Sequence, residues 1–452
     1  MRDLITIILA AGKGTRMKSQ KIKVLHKLAG KPMLQHLIDT VKKLDSKKVI
    51  VVVGYQGEQV QKTIQGENLC YVYQHEQKGT GHAILQAEEI LKDFQGDVLV
   101  LYGDTPLLTI ETLQKLFKTH VDSNADATIL STYLDDPTGY GRIVRDKDGR
   151  FLKIVEQSDL ASEEEEKINE INTGIYIFNN QKLFKALHQI QPNNAQGEYY
   201  LTDVFNILLA EKAKVEVMKT LNSNEIIGIN DRVRLAEAEK ILRRRINERL
   251  MIKGVTIIDP ETTYIDEDVE IGQDTIIYPF TFIEGKTRIG KNVLIGPHSR
   301  IKDAQIGDDV NITNSVILES IIHERVKIGP FAHIRPGNEI HADAKIGDFV
   351  ELKKSIIGKG SKVPHLSYVG DAQIGEKCNI GAGTITANYD GKNKHKTKLG
   401  NGVFIGSNST LVAPVELKDG ARTGAGSVVT RDVPANTTVV GVPARKFKEN
   451  KR

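Results

Sequence analysis

Apolar and polar positions follow two different periods along this chain. Up to about residue 228, short continuous apolar runs alternate with helical patterns. Leu4–Ala10 (LITIILA), Lys48–Gly54, Leu69–Tyr73 and Asp97–Asp104 read as buried parallel strands. Between them Leu34, Leu37, Ile38 and Val41 recur at helical spacing, as do the apolar positions of HAILQAEEIL from His82. Such alternation predicts a doubly wound sheet that binds ligands outside the carboxyl ends of its strands. Gly141–Glu156 reads instead as a hairpin around an Asp-Gly turn, and Glu163–Glu166 as a solvated surface segment. From Asn230 to Leu250 a single stripe of Leu235, Ala238, Leu242, Ile246 and Leu250 predicts a connecting helix.

Beyond residue 250 the period becomes six. Ile265, Ile271, Ile277, Ile283, Ile289, Ile295 and Ile301 stand at uniform steps. After a slip the rhythm returns at Ile328, Ile334, Ile340, Ile346 and Leu352, and again at Leu399, Ile405, Leu411 and Leu417. Glycine often follows the aliphatic, so the segment reads as a parallel β-helix whose coils share one continuous core. Thr384–Gly400 is too long and too polar for a coil and should protrude as a loop. The chain therefore divides into residues 1–228, a linker helix at 229–250, and a repeat domain at 251–452.

Composition narrows the partners. The 452 residues are 40% hydrophobic and 27% charged, as in an ordinary soluble globular protein. A net charge of +4, with no arginine-rich arm, argues against nucleic acid and suits anionic small molecules. Cys70 and Cys378 lie far apart and read as reduced thiols, which predicts a cytoplasmic protein. No run approaches the ~18 apolar residues of a membrane span, and no signal peptide is evident.

The stretch ILAAGKGTRM, Ile8–Met17, joins a strand to a glycine turn carrying Lys13 and Arg16, with Lys23 nearby. It matches neither the dinucleotide fingerprint, where Met17 replaces glycine, nor a Walker A loop. Its free backbone N–H groups and positive charge suit a phosphate; a turn with solvated basic residues is the plainer reading. Asp104, just past an apolar strand, suits a Mg²⁺ ligand against polyphosphate, or simply a cap for the next segment. His82 reads as structural.

Taken together, LAAGKGTRM, the lysine of KIKVL, GTGHA, LYGD, GYGRIV, IVE and NTGIY resemble the sugar-1-phosphate nucleotidyltransferase family. With a hexapeptide β-helix behind them, nearly the whole chain resembles the bifunctional bacterial N-acetylglucosamine-1-phosphate uridylyltransferase/glucosamine-1-phosphate N-acetyltransferase family. GEYYLTD, Gly197–Asp203, belongs to the resemblance, although its chemistry suggests no role. The fold implied is an α/β Rossmann-like nucleotidyltransferase domain, a connecting helix and a left-handed parallel β-helix. The resemblance assigns Leu9, Ala10, Ala11, Gly12, Gln74, Gly79, Thr80 and Tyr102 to the nucleotide, and Lys13, Arg16 and Lys23 to its phosphates, with Arg16 and Lys23 catalytic. Asp104 and Asn230 would hold Mg²⁺, while Gly141, Glu156 and Asn172 would contact the sugar. In-line attack on UTP needs positioning and charge neutralisation, with no side-chain nucleophile.

In the repeat domain His365 sits beside an inward-facing aliphatic, and taken alone it reads equally well as structural. Arg335, Lys353, Tyr368, Asn388 and Tyr389 are its company. Acyl transfer from a thioester to an amine needs a base, which histidine supplies near neutral pH, and cations for a phosphorylated acceptor. The resemblance makes His365 that base, gives Arg335, Lys353, Tyr368 and Asn379 the amino-sugar phosphate, and gives Ala382, Asn388, Tyr389, Ser407 and Ala425 the acetyl-CoA co-substrate. The family places a basic residue before its C-terminal Val-Pro; here Gly441 stands there, with Arg445 or Lys446 as substitutes. A homotrimer with sites between neighbouring prisms is implied as well. The expected substrates are UTP, glucosamine 1-phosphate, N-acetylglucosamine 1-phosphate and acetyl-CoA. Two alternatives remain: a single-activity nucleotidyltransferase with a regulatory or oligomerising β-helix, and a non-catalytic sugar-nucleotide scaffold.

Overall fold

A computed structural model describes residues 2–447. The chain forms two compact units that divide between Leu242 and Arg243. In the first, a nine-stranded mixed sheet is built from β1 (Leu4–Ala10), β2 (Val49–Val53), β3 (Leu69–Tyr73), β4 (Asp97–Tyr102), β5 (Ala127–Tyr133), β6 (Gly141–Arg145), β7 (Phe151–Val155), β8 (Glu170–Asn179) and β9 (Val215–Lys219). The order is β9-β5-β8-β4-β1-β2-β3, with β6 pairing β8 and β7. Every residue of β1 and β2 is buried, which is why these strands read as unbroken apolar runs.

The sheet is not parallel throughout, as the alternation predicts. Strand β8 runs antiparallel between β4 and β5. Residues 156–169 lead into it from the β6–β7 hairpin, and β6 pairs antiparallel with its first residues at Ile171 and Asn172. Strand β1 lies between β4 and β2, parallel to both, and Leu9 pairs with Tyr102. The order reverses here, so the turns after β1 and β4 open side by side.

The second unit is a left-handed parallel β-helix with sheets of 12, 10 and 9 strands, each sheet taking every third strand until the antiparallel pair Thr438–Val440 and Arg445–Lys446 ends the first. Inward aliphatics align coil upon coil, as in Ile277, Ile295, Ile312, Ile328 and Ile346, all fully or almost fully buried. The slip in the period is a set of shortened corners: Ile301, Ile306, Ile312, Ile317, Ile322 and Ile328 keep their columns at steps of five and six. Buried hydroxyls close the corners; Thr281 donates to the Tyr278 carbonyl at 2.8 Å and Ser315 to that of Thr313 at 2.7 Å.

The expected loop at 384–400 is shorter than its composition suggests. Ile385–Ala387 and Thr397–Leu399 are strands of the coil, because Thr386 and Leu399 point inward. Only residues 388–396 leave it, closed by a bridge between Tyr389 and Lys394. The division falls within the helix Arg232–Ile252, which buries Ala238, Leu242, Ile246 and Leu250. Both cysteines are free thiols. Among the described residues no helix is long and apolar enough to cross a membrane.

Ile346 is fully buried in a column of isoleucines. Ile346→Ala therefore lowers stability in urea unfolding by about 2–5 kcal/mol, while Lys345→Ala on the outer face stays within about 0.5 kcal/mol of wild type.

Candidate active sites

At the paired ends of β1 and β4 a cavity of about 450 Å³ is lined by Leu9, Ala10, Ala11, Gly12, Lys23, Gln74, Gly79, Thr80, Tyr102, Asp104 and Asn230. All of these are residues singled out in the sequence. The Lys23 ammonium meets Asp104 Oδ2 at 2.5 Å and Asn230 Oδ1 at 3.0 Å. Three residues from remote parts of the chain thus converge on one point. Gly14 permits this: its φ is +63°, and a Cβ there would lie 2.6 Å from the Lys23 Cβ. The Ile229 amide donates to the Asp104 carbonyl at 2.9 Å and ties the Asn230 segment to the end of β4. Lys13 and Arg16 do not line the cavity and stand exposed on the turn.

A second lobe of about 540 Å³ shares Thr80, Tyr102, Asp104 and Asn230 with the first and adds Gly141, Glu156 and Asn172. Asn172 is aimed by an irregularity in β8, where the register with β5 shifts between Asn172 and Tyr176. Gly174 lies in that bulge at φ +79°, and a Cβ there would strike the Tyr102 ring at 2.7 Å. Burial pushes the Glu156 carboxyl above its ordinary range, against a 3.0 Å hydrogen bond donated by Thr202.

Across the corner at Leu366 in the β-helix, two groups form. His365 pairs in register with Asp348 one coil earlier, and its Nδ1 meets Asp348 Oδ1 at 2.6 Å. That hydrogen bond holds the Asp348 carboxyl below the usual range and leaves the half-exposed imidazole its Nε2. On the adjoining sheet Lys353 approaches Asp371 at 3.4 Å, and Asn388 donates to the same carboxylate at 2.5 Å. Gly370 leaves room there, since a Cβ would lie 2.5 Å from the Tyr368 hydroxyl and 2.9 Å from Asn388 Nδ2. Arg335 extends this face and is paired with Glu351 at 2.9 Å. Ala382, Ser407 and Ala425 stack on successive coils, linked by the Asn408 amide to Ala382 and the Gly426 amide to Ser407. Asn379 lies in register with Lys362 and Phe404 on the His365 sheet. Tyr389 is exposed on the loop, its hydroxyl donating to Gly391. Gly441 has φ +95°, a conformation that disfavours a basic side chain; Arg445 lies opposite Val440 in the terminal hairpin, beside it.

Residues 5–224 match the nucleotidyl transferase family, residues 268–303 and 396–431 the bacterial transferase hexapeptide, and residues 316–411 the GMPPB C-terminal domain. The bifunctional protein GlmU of Geobacillus sp. (strain WCH70) is 54% identical over 444 residues, 98% of this chain and 96% of that protein. That of Thermoanaerobacter pseudethanolicus is 54% identical over 451 residues, covering 100% and 97% respectively. The chain belongs to the GlmU family. It is a bifunctional enzyme, a uridylyltransferase and an acetyltransferase in one polypeptide.

Several residues of these sites were not legible in the sequence. Asp348 is one coil, 17 residues, before His365, and only coil register exposes the pairing. Gln77 and Glu198 also line the first cavity. Lys394 sits against Lys353, and its hydrogen bond and like charge push Lys394 below the ordinary lysine range. GEYYLTD is a clamp: the Tyr199 amide donates to the Lys78 carbonyl and the Gly81 amide to that of Tyr199, the Leu201 amide donates to the Thr80 hydroxyl oxygen, and the Thr202 hydroxyl donates to Glu156. His82 is engaged by Gln74 and Gln86 and lines neither lobe.

An acid with a raised folded pKa contributes stability below its unfolded value of about 4.3 and loses it as pH rises through the folded value. Glu156→Gln removes that loss. Its thermal midpoint should exceed wild type at pH 8, and the gap should shrink toward pH 5.

Proposed function

We propose that the two sites work in succession on one sugar phosphate. The β-helix acetylates glucosamine 1-phosphate from acetyl-CoA, and the N-terminal domain then transfers UMP from UTP to the product, releasing pyrophosphate. The convergence of Lys23, Asp104 and Asn230 where the two lobes meet carries the uridylyl half. The first lobe takes UTP and the second takes N-acetylglucosamine 1-phosphate, whose phosphate oxygen attacks the α-phosphorus in line. A carboxylate and an amide oxygen aimed at one cation are the hard donors Mg²⁺ prefers, so Asp104 and Asn230 fit that ion. When bound, Mg²⁺ neutralises charge on the polyphosphate. Lys23, released to the nucleotide, holds the phosphate oxygens, with Arg16 and Lys13 approaching from the turn. Glu156 and Asn172 orient the sugar, and Gln74 with the Gly79–Thr80 turn orients the uridine.

In the acetyl half, Asp348 holds His365 with Nε2 free to take the proton of the attacking amine. The amine nitrogen bonds to the thioester carbonyl, the C–S bond breaks, and the proton passes to the leaving thiolate. Arg335 and Lys353, joined by Lys394, bind the acceptor's phosphate, and Tyr368 and Asn379 its sugar. Ala382, Ser407 and Ala425 form a small-residue track for the coenzyme beside Asn388 and Tyr389, with Arg445 or Lys446 in place of a basic residue at Gly441. Exposed Phe280, Phe331, Phe349 and Leu366 at one corner support a homotrimer that completes this site. We assign the uridylyl domain to residues 1–228, the linker to 229–250 and the acetyl domain to 251–452, in a cytoplasmic enzyme with no nucleic-acid or membrane partner.

Purified enzyme given glucosamine 1-phosphate, acetyl-CoA, UTP and Mg²⁺ should release both thiol and pyrophosphate. His365→Ala abolishes thiol release and leaves pyrophosphate release from N-acetylglucosamine 1-phosphate intact; Asp104→Ala does the reverse. Loss of both activities from either single change, in folded protein, would refute two separate sites.

A further inference from the structure

On the 9-stranded sheet of the β-helix, the position after each inward aliphatic is glycine at Gly272, Gly290, Gly307, Gly358, Gly375 and Gly400. A Cβ at any of these would fall within 3 Å of the next coil's backbone. Lys418 follows Leu417 in the last strand of the sheet, and within the series two consecutive coils carry His323 and His341 in place of glycine. Their rings stack with centroids 4.8 Å apart and planes 6° from parallel. Glu339, two residues before His341, reaches both: its Oε1 lies 3.0 Å from His323 Nε2 and 3.6 Å from His341 Nε2.

We propose that His323, Glu339 and His341 form a site for a borderline transition-metal ion, Zn²⁺ or a close relative such as Co²⁺ or Ni²⁺. Two imidazole nitrogens and one carboxylate suit these ions and not Mg²⁺ or Ca²⁺. Bonds of about 2.0–2.1 Å in a tetrahedron place neighbouring ligand atoms about 3.3 Å apart. The two measured edges bracket that length, and all three ligand atoms lie within 4.8 Å of one another. The half-exposed rings close the third edge by rotation, and water fills the fourth position. The ion bridges two successive coils, so it staples the stack. None of the three residues belongs to either active site.

The test uses full-length enzyme stripped with a chelator and kept in excess Mg²⁺, which occupies oxygen-only sites. Titration with Zn²⁺ should show one tight equivalent per chain, and Co²⁺ should give the visible bands of tetrahedral nitrogen and oxygen ligation. Zn²⁺ should also raise the thermal midpoint. His323→Gln/His341→Gln should abolish all three signals, and Glu339→Gln, which leaves both rings in place, should weaken binding by about 100-fold or more. Asp104→Ala should leave the tight equivalent unchanged. Zn²⁺ binding equally tight in the double variant, or no tight equivalent in the wild type, would overturn the proposal.

Discussion

In a parallel pair of strands, residues that leave the sheet at the same end stay neighbours however far apart they lie in the chain. Both sites use this property. Leu9 beside Tyr102 brings the glycine turn after β1 against Asp104, and β-helix register sets Asp348 beside His365 and Lys353 beside Gly370. Because each pairing is fixed by backbone hydrogen bonds and by buried aliphatics, on both faces of β1 and on the inward face of the β-helix strands, the catalytic side chains inherit the rigidity of the sheets.

The two halves handle charge differently. In the N-terminal cleft a lysine, a carboxylate and an amide are partly shielded at one point, so the ammonium is held until a competing cation or phosphate draws it away. On the β-helix each of two cations has its own carboxylate: half-exposed Arg335 is matched by Glu351, and Lys353, as shielded as Lys23, by Asp371. The exposed Arg335 pair carries little desolvation cost, and an incoming phosphate has only to exchange partners there.

Glycine does opposite work in the two domains. Gly14, Gly79 and Gly174 are needed where the backbone or a side chain must pass closely, next to Lys23, Tyr199 and Tyr102. In the solenoid the repeated glycines let the coils stack, and His323 and His341, which interrupt the series on two adjacent coils, stand out only against that regularity.

The β-helix was legible in the sequence because its core repeats every six residues, and burial of each aliphatic demands that period. The strands β1, β2 and β4 were legible for a similar reason: strands buried on both faces are apolar throughout, whereas β3, read as buried as well, is a half-buried edge strand. The antiparallel course of β8 was not, since strand direction depends on what connects the strands rather than on their composition. Nor was the true length of the loop at 388–396, because Thr386 is polar yet points inward. Individual site residues such as Lys23 and His365 carried their chemistry in their identity. Asn230 was marked in the sequence only by resemblance, and Asp348 and the clamp formed by Gly197–Asp203 acquire their roles only when distant segments are set side by side. One-dimensional order encodes period and residue chemistry; convergence on a point is a property of three dimensions.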